Sequence, residues 1–306
     1  MTALPAFCGP LAFGTMQFGA GADAAASAAL YGAARAAGIA HFDTAHGYAD
    51  GRAETLLGRL AAPERDALFI ATKVAYVGGA GRANITAQFD ISRRRLGMDA
   101  VDLLYIHRHD PATDLSETID TLADLQAKGL IRHIGLSNFA AWQAMKAQTL
   151  AQARGTRIAA IQPMLNLVKR QAEVEILPMA ADQGIAAFTY SPLGGGLLTG
   201  KYLAGQTGRL TEDARYATRY GDPAMAETAR ALAALARETG HHPATLAVAW
   251  LLHHPLHPVP ILSARSTDQL APALAAHGLA LPPDLRARLG ALSPAPPPAT
   301  DRTEER

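Results

Sequence analysis

Eight short apolar runs recur along this chain: LAFGTMQFG, IAHFDTA, LFIATKV, VDLLYIH, HIGLSN, AAIQPMLN, IAAFTYSP and HPVPILSA. Most are spaced by roughly thirty residues, the length of a strand plus the helix that carries the chain back beside it. The intervals hold alanine-rich amphipathic segments. DAAASAALYGAARAAG opens on Asp23, a residue suited to an N-cap, and closes on Gly38; DLSETIDTLADLQAKG offers Asp114 or Ser116 as cap and closes on Gly129. ETLLGRL, ITAQFDISRRRLG, AAWQAMKAQTLAQARG and QAEVEILPMAADQG fill further intervals. Regular strand-then-helix alternation specifies a parallel sheet covered by helices. Eight units favour a closed (β/α)8 TIM barrel over an open doubly wound sheet. The glycine-rich stretch SPLGGGLLTGK follows the seventh strand rather than the first, which argues against a Rossmann domain.

After that stretch the regularity breaks. YLAGQTGRLTEDARYATRYGDP is polar, bears glycines and is too long for an ordinary connection, so a long loop, either functional or disordered, is expected over residues 202–223. Two helices, AMAETARALAALARETG and PATLAVAWLLHH, should precede the eighth strand. From Pro294 the chain is proline-rich and then charged. The expectation is a single barrel domain over residues 1–293 and a flexible tail over 294–306.

Bulk properties narrow the function classes. Of 306 residues 49% are apolar, without an uninterrupted apolar run of membrane-spanning length. The start, MTALPAFCGP, lacks the basic and long apolar segments of a secretory signal, so a cytoplasmic location is expected. One cysteine, Cys8, excludes an internal disulfide and any multi-cysteine metal site, and reads as an inert small hydrophobe. A formal net charge of +1 removes the electrostatic case for nucleic-acid binding. Neither nucleic acid nor membrane is expected as a partner, and the oligomeric state is not readable.

Four residues fall at or just past the ends of successive strand runs: Asp43 and Tyr48 in HFDTAHGY, Lys73 in FIATKV and His107 in LLYIH. In a parallel barrel the C-terminal strand ends converge on one face, so these residues can meet in one pocket. Reducing a carbonyl requires a hydride at carbon and a proton at oxygen. A tyrosine holds its proton at neutral pH, and a neighbouring ammonium stabilises its phenolate and lowers its pKa. Lys73 can supply that ammonium, Asp43 can fix Lys73, and His107 can donate to the developing oxyanion and orient the carbonyl. Taken singly, Asp43 could be a helix cap and Lys73 a structural rim residue. Their joint order at strand ends favours chemistry, with Tyr48 as general acid.

GTMQFG, FDTAHGYADGRAETLLG, ATK, DLLYIH, GLSN, QPMLNLVKR, YSPLGGGLLTGKY and ARSTDQL together resemble the aldo-keto reductases from Gly14 to about Ala276. In motif the chain sits nearest bacterial members related to aryl-alcohol dehydrogenases and potassium-channel β subunits. The resemblance implies a nicotinamide cofactor bound in extended form at the strand C-termini, with no Rossmann domain and no metal. It places the catalytic tetrad on Asp43, Tyr48, Lys73 and His107. It assigns cofactor contacts to Gly14, Thr15, Met16 and Asp43, and carboxamide recognition to Ser137, Asn138 and Gln162. Tyr190 would stack on the nicotinamide. Ser191, Leu193, Gly194, Gly195 and Lys201 would wrap the pyrophosphate, beneath a belt carrying Arg209 and Arg215.

The adenine end departs from the family pattern. Ser263, Ala264 and Arg265 are followed by Gln269 and Leu270, but Pro272 and Ala273 replace a common Glu-Asn pair. Arg265 suits a ribose 2′-phosphate, because guanidinium binds phosphate in a fork, so NADPH is the expected cofactor and a small carbonyl compound the expected substrate. Phe18, Tyr76 and Leu165 suggest a pocket for aldehydes of some bulk. Two rivals remain open. A metal-dependent hydrolase would use His107, His109 and Asp110. A non-catalytic NADPH-binding subunit with a redox-sensing or accessory role would leave the same residues in place.

Overall fold

The structure is a computed structural model and describes residues 9–305; Cys8 lies outside the described residues. Eight parallel strands close into one barrel in chain order. They are β1 (Ala12–Gly14), β2 (His41–Asp43), β3 (Phe69–Val74), β4 (Val101–Ile106), β5 (Ile131–Ser137), β6 (Ile158–Gln162), β7 (Ala186–Thr189) and β8 (Val259–Leu262). Closure is made where Ala12 pairs with Ile261 and Phe13 with Leu262. Every residue of β3 and β4 is buried, as expected for parallel strands covered on both faces. Their alternate side chains divide between two cores. Phe69, Ala71, Leu103, Tyr105, Ala160 and Phe188 point inward and fill the barrel. Ile70, Leu104, Ile106, Ile134 and Ile161 point outward into the helix layer.

That layer consists of α1 (Ala24–Ala36), α2 (Arg52–Ala61), α3 (Arg82–Leu96), α4 (Leu115–Ala127), α5 (Ala141–Ala153) and α6 (Ile176–Asp182) between the first seven strands. Asp23 caps α1 by accepting from the Ala26 amide at 2.8 Å. Asp114 rather than Ser116 caps α4, accepting from the Ser116 amide at 2.9 Å. Such caps satisfy backbone donors that the helix itself leaves free.

Two elements differ from the sequence expectation. The first strand ends at Gly14; beyond it the chain folds into a tight turn, with the Phe18 amide on the Thr15 carbonyl and the Ala22 amide on the Gln17 carbonyl. The segment expected as a long loop is instead built from short helical turns. They are Lys201–Ala204, α7 (Arg209–Glu212) and α8 (Ala214–Arg219), preceded by a further turn at Gly194–Thr199. Elements of four and six residues are too short to show a 3.6-residue period, so their polar sequence hid them. After them come α9 (Pro223–Thr239) and α10 (Pro243–Leu252), then α11 (Thr267–Leu274) and α12 (Pro283–Gly290) beyond β8. Residues 294–302 hold no regular helix or strand, and a single 3-10 turn follows at Thr303–Glu305. No helix among the described residues is long and apolar enough to cross a membrane.

The consequence for function is positional. Asp43, Ser137 and Gln162 are the last residues of their strands, Lys73 is the penultimate residue of β3, and His107, Tyr190 and Ser263 follow theirs immediately. All therefore lie on the C-terminal face, where the loops of a barrel meet.

Candidate active site

Lys73 and Asp43 form an ion pair across adjacent strands, and both are almost wholly buried. Lys73 Nζ also donates to the Thr44 carbonyl at 2.9 Å. Burial alone would push the Lys73 ammonium down, but Asp43 and Tyr48 outweigh it and hold it above the usual lysine value. The ammonium sits 5.2 Å from the centre of the Tyr48 ring. His107 meets the same ring edge-on, centroids 5.9 Å apart. Burial, aided by the positive charges of Lys73 and Arg108, pushes His107 down to about 3, so its imidazole is neutral at physiological pH. A neutral ring presents one N–H as a donor without competing for Tyr48's proton.

From sequence, Lys73 is expected to lower the Tyr48 pKa. Lys73 does lower it, but burial raises it more and Asp43 cancels part of the Lys73 effect, so Tyr48 lies above the usual tyrosine value. The physical reason is that a buried phenolate loses more hydration than one already paired ammonium returns. The result is a phenol that keeps its proton until an acceptor arrives, beside a cation able to receive the phenolate left behind. That is the behaviour required of a proton donor to a carbonyl oxygen.

A cleft of about 1260 Å³ opens over this cluster and extends to the ends of β7 and β8. Next to the tetrad, Gln162 Nε2 donates to the free oxygen of Asp43 at 2.9 Å. Asn138 has a left-handed backbone (φ 56°); its Nδ2 donates to the His107 carbonyl at 2.9 Å, and its Oδ1 accepts from the Tyr190 hydroxyl at 2.7 Å. Burial pushes Tyr190 up to about 12, so this hydroxyl remains a donor. Ser137 Oγ donates to the Gln162 carbonyl at 3.1 Å. These amides leave paired donor and acceptor atoms along one wall of the cleft.

The far end is suited to anions. Gly194, Gly195 and Gly196 are consecutive left-handed residues; a Cβ at Gly195 would lie 2.8 Å from the Tyr216 ring, so only glycine fits. Lys201, Arg209 and Arg265 converge there, and Lys201 is pushed below its usual value by burial and then by the Arg265 and Arg209 charges. Ser263 lines the cleft with a buried hydroxyl that has no partner among the described residues. A backbone cradle, the cations Lys201 and Arg209, an Arg265 held by Glu212 and an unsatisfied donor fit a pyrophosphate and a further phosphate group.

Of the residues singled out in the sequence, Gly14, Met16, Ser191, Leu193, Gly195, Lys201, Ser263, Arg265 and Gln269 line the cleft with the groups already described. Thr15 and Gly194 do not line it. Thr15 is fully buried and donates to the Asp43 carbonyl at 3.2 Å, and Gly194 turns its amide onto the Ser191 carbonyl. Arg209 stacks on the Tyr216 ring, while Arg215 is paired with Asp213. Tyr76 lines the cleft, but Phe18 and Leu165 are core residues at 1% and 0% exposure, so they are not pocket walls. Pro272 and Ala273 line the far end.

Several cleft residues escaped the sequence reading: Gln17, Arg108, Glu212, Tyr216 and Arg219. Tyr216 and Arg219 lie three apart, and Asp213 caps α8 through the Arg215 amide at 2.9 Å. That cap was the one local sign of a helix in the segment. His109 and Asp110 are engaged elsewhere. The His109 ring meets Phe139 and Trp142 edge-on, and the Asp110 carboxylate accepts from the Ala80 and Ala112 amides. Among the described residues no group of three or more His, Cys, Asp or Glu side chains is placed to hold a metal ion.

The chain is 37% identical over 195 residues to aflatoxin B1 aldehyde reductase member 2 of Rattus norvegicus, covering 62% of this chain and 53% of that protein. The match thus spans about half the length of the rat relative. It is 30% identical over 305 residues to an uncharacterized oxidoreductase of Bacillus subtilis, covering 94% of this chain and 92% of the relative. A probable voltage-gated potassium channel subunit beta of Oryza sativa is 34% identical over 260 residues, covering 78% of each chain. The aldo/keto reductase family model matches residues 10–293, the whole barrel, and the chain belongs to that family.

Proposed function

We propose that this protein reduces aldehydes to alcohols with NADPH. The observation that carries the reading is the buried Asp43–Lys73 pair beside a protonated Tyr48 and a neutral His107, at one end of a cleft whose other end is cationic. When bound, the cofactor supplies a hydride to the carbonyl carbon. Tyr48 donates its proton to the carbonyl oxygen, and Lys73 stabilises the phenolate that results. Asp43 holds Lys73 charged and in place. The His107 N–H orients the carbonyl and stabilises charge developing on its oxygen.

Ser137, Asn138 and Gln162 would hold the carboxamide and Tyr190 would stack on the nicotinamide ring. Gly14 and Met16 would line its bed, with Thr15 acting through the Asp43 backbone. Ser191, Leu193, the Gly194–Gly195 turn and Lys201 would enclose the pyrophosphate. Ser263 and Arg265 would take the 2′-phosphate. Gln269 would support this end, its side chain accepting from the Arg265 amide at 3.2 Å.

The test is intrinsic fluorescence titrated with NADPH and with NADH, followed by turnover of a reactive aldehyde. Quenching should saturate at lower NADPH than NADH, and Arg265→Ala should weaken NADPH roughly tenfold or more while barely changing NADH. Equal losses for the two nucleotides would remove Arg265 from the 2′-phosphate. Tyr48→Phe should abolish aldehyde turnover while leaving NADPH binding intact. The rice channel subunit favours a second reading, a cofactor-binding accessory or redox-sensing subunit. Saturable NADPH binding without turnover of any aldehyde would select it.

A further inference from the structure

The turn that carries Tyr48 rests on a charge pair for which the proposed reaction has no direct use. Ala49, Asp50 and Gly51 lie consecutively in the left-handed region, at φ 49°, 54° and 91°. Two of the three are not glycine, so the turn depends on its surroundings to persist. Arg95, in the last turn of α3, provides them. Its Nη1 donates to the His46 carbonyl at 2.9 Å and lies 3.3 Å from Glu54 Oε2. On the other side of Tyr48, a Cβ at Gly51 would run into the Arg95 guanidinium. One guanidinium therefore touches the turn both before and after Tyr48.

The counterion ties this contact to the catalytic strand. Glu54 is fully buried on α2, and its Oε1 accepts from Thr72 Oγ1 at 2.7 Å. Thr72 immediately precedes Lys73. The His46 amide donates to the Lys73 carbonyl at 2.9 Å. His46 itself is pushed below its usual value, chiefly by burial, so its ring adds no competing charge. Taken together, Glu54 and Arg95 span the distance between the strand end bearing Lys73 and the turn bearing Tyr48.

We propose that Arg95, with Glu54 as its counterion, is a positioning residue that fixes the Tyr48 hydroxyl relative to Lys73. The inference rests on the reductase reading for its kinetic test. Wild type, Arg95→Met, Arg95→Lys, Gly51→Ala and the Arg95→Met/Gly51→Ala double variant are compared by NADPH fluorescence titration, steady-state aldehyde reduction and hydrogen exchange. Arg95→Met should bind NADPH and aldehyde within about threefold of wild type while kcat falls by roughly thirtyfold or more, a split expected when only transition-state geometry is lost. Arg95→Lys should recover part of kcat, since it keeps the charge opposite Glu54. Gly51→Ala should also lower kcat, partly by displacing the Arg95 guanidinium and partly through backbone strain at φ 91°, so the double variant should lose less than the product of the two single losses.

Wild-type kcat in Arg95→Met would overturn the proposal. So would a parallel loss of kcat and NADPH binding, which would make Arg95 a fold-stabilising residue only. If Arg95→Met does not fold, Gly51→Ala decides by the same criteria. A wild-type protein that binds NADPH and reduces no aldehyde would sink the reductase reading instead. Hydrogen exchange over residues 46–52 then decides: faster exchange there alone in Arg95→Met upholds the positioning role, and unchanged exchange overturns it.

Discussion

Among single residues, the cleft sorts its charges into two groups. Lys73 is neutralised by Asp43, Arg265 by Glu212 at 2.9 Å and Arg215 by Asp213 at 2.9 Å. Arg108 instead lies over the ring of Tyr76 at 5.1 Å, Arg219 and Arg209 over that of Tyr216 at 5.2 and 5.3 Å and Lys201 over that of Tyr202 at 4.8 Å, and among the described residues none of the four forms an ion pair. Arg108 lies close enough to His107, and Arg219 to Tyr190, for each charge to be felt there. Two guanidiniums without a carboxylate partner, acting on His107 and Tyr190, favour a substrate that carries a negative charge of its own. We therefore expect a carboxylated aldehyde to show a lower KM than its neutral isostere. Arg219→Ala should raise KM for the charged substrate by about tenfold and leave the neutral one unchanged. Equal KM values in the wild type would reject this preference. Asp43, Tyr48, Lys73 and His107 could be picked out in the sequence because residue type and strand-end position are local properties. Arg108 and Arg219 could not, because an arginine is ordinary until its missing counterion is known.

Between elements, the site depends on how closely α2 and α3 approach, since Glu54 comes from one and Arg95 from the other. Gly58 sits at their contact: a Cβ there would collide with the Leu96 carbonyl at the end of α3. Alanine is the better helix former by about 1 kcal/mol. Separating packed backbone costs roughly 1–3 kcal/mol, so overpacking should win. Gly58→Ala is expected to be destabilising by urea unfolding, whereas a stabilised variant would show that the two helices separate freely. Long helices such as α3 and α9 were legible because periodicity and caps repeat over several turns. The short α7 and α8 were not. Their conformation is fixed by contacts with residues far along the chain, such as Asn166 donating to the Tyr220 hydroxyl and Arg265 paired with Glu212.

Across the whole molecule, closing the barrel buries a titratable group far from solvent. His41 is fully buried between Phe69 and Phe188, with neither ring nitrogen partnered among the described residues, and burial, then the Lys73 charge, pushes it down to about 3. In the unfolded chain the same group titrates near ~6.5. Between those values the unfolded state binds one more proton than the folded state, so stability rises with pH and is lost as pH falls below about 6.5. From pH 7 to pH 5 this one residue should cost roughly 2 kcal/mol, and His107 acts in the same direction. His41→Leu should flatten the difference between unfolding free energies at pH 5 and pH 7 by about that amount; an unchanged difference would remove His41 from the acid response. Strand–helix alternation, the eightfold barrel and the four strand-end residues are written locally into the chain, because period and residue type are carried by neighbouring positions. Packing added what no local pattern holds: Tyr48 keeps its proton more tightly than a free tyrosine, Glu212 reaches Arg265, and Arg95 supports the Tyr48 turn. Each of those depends on desolvation or charge acting through space between segments that the chain keeps far apart.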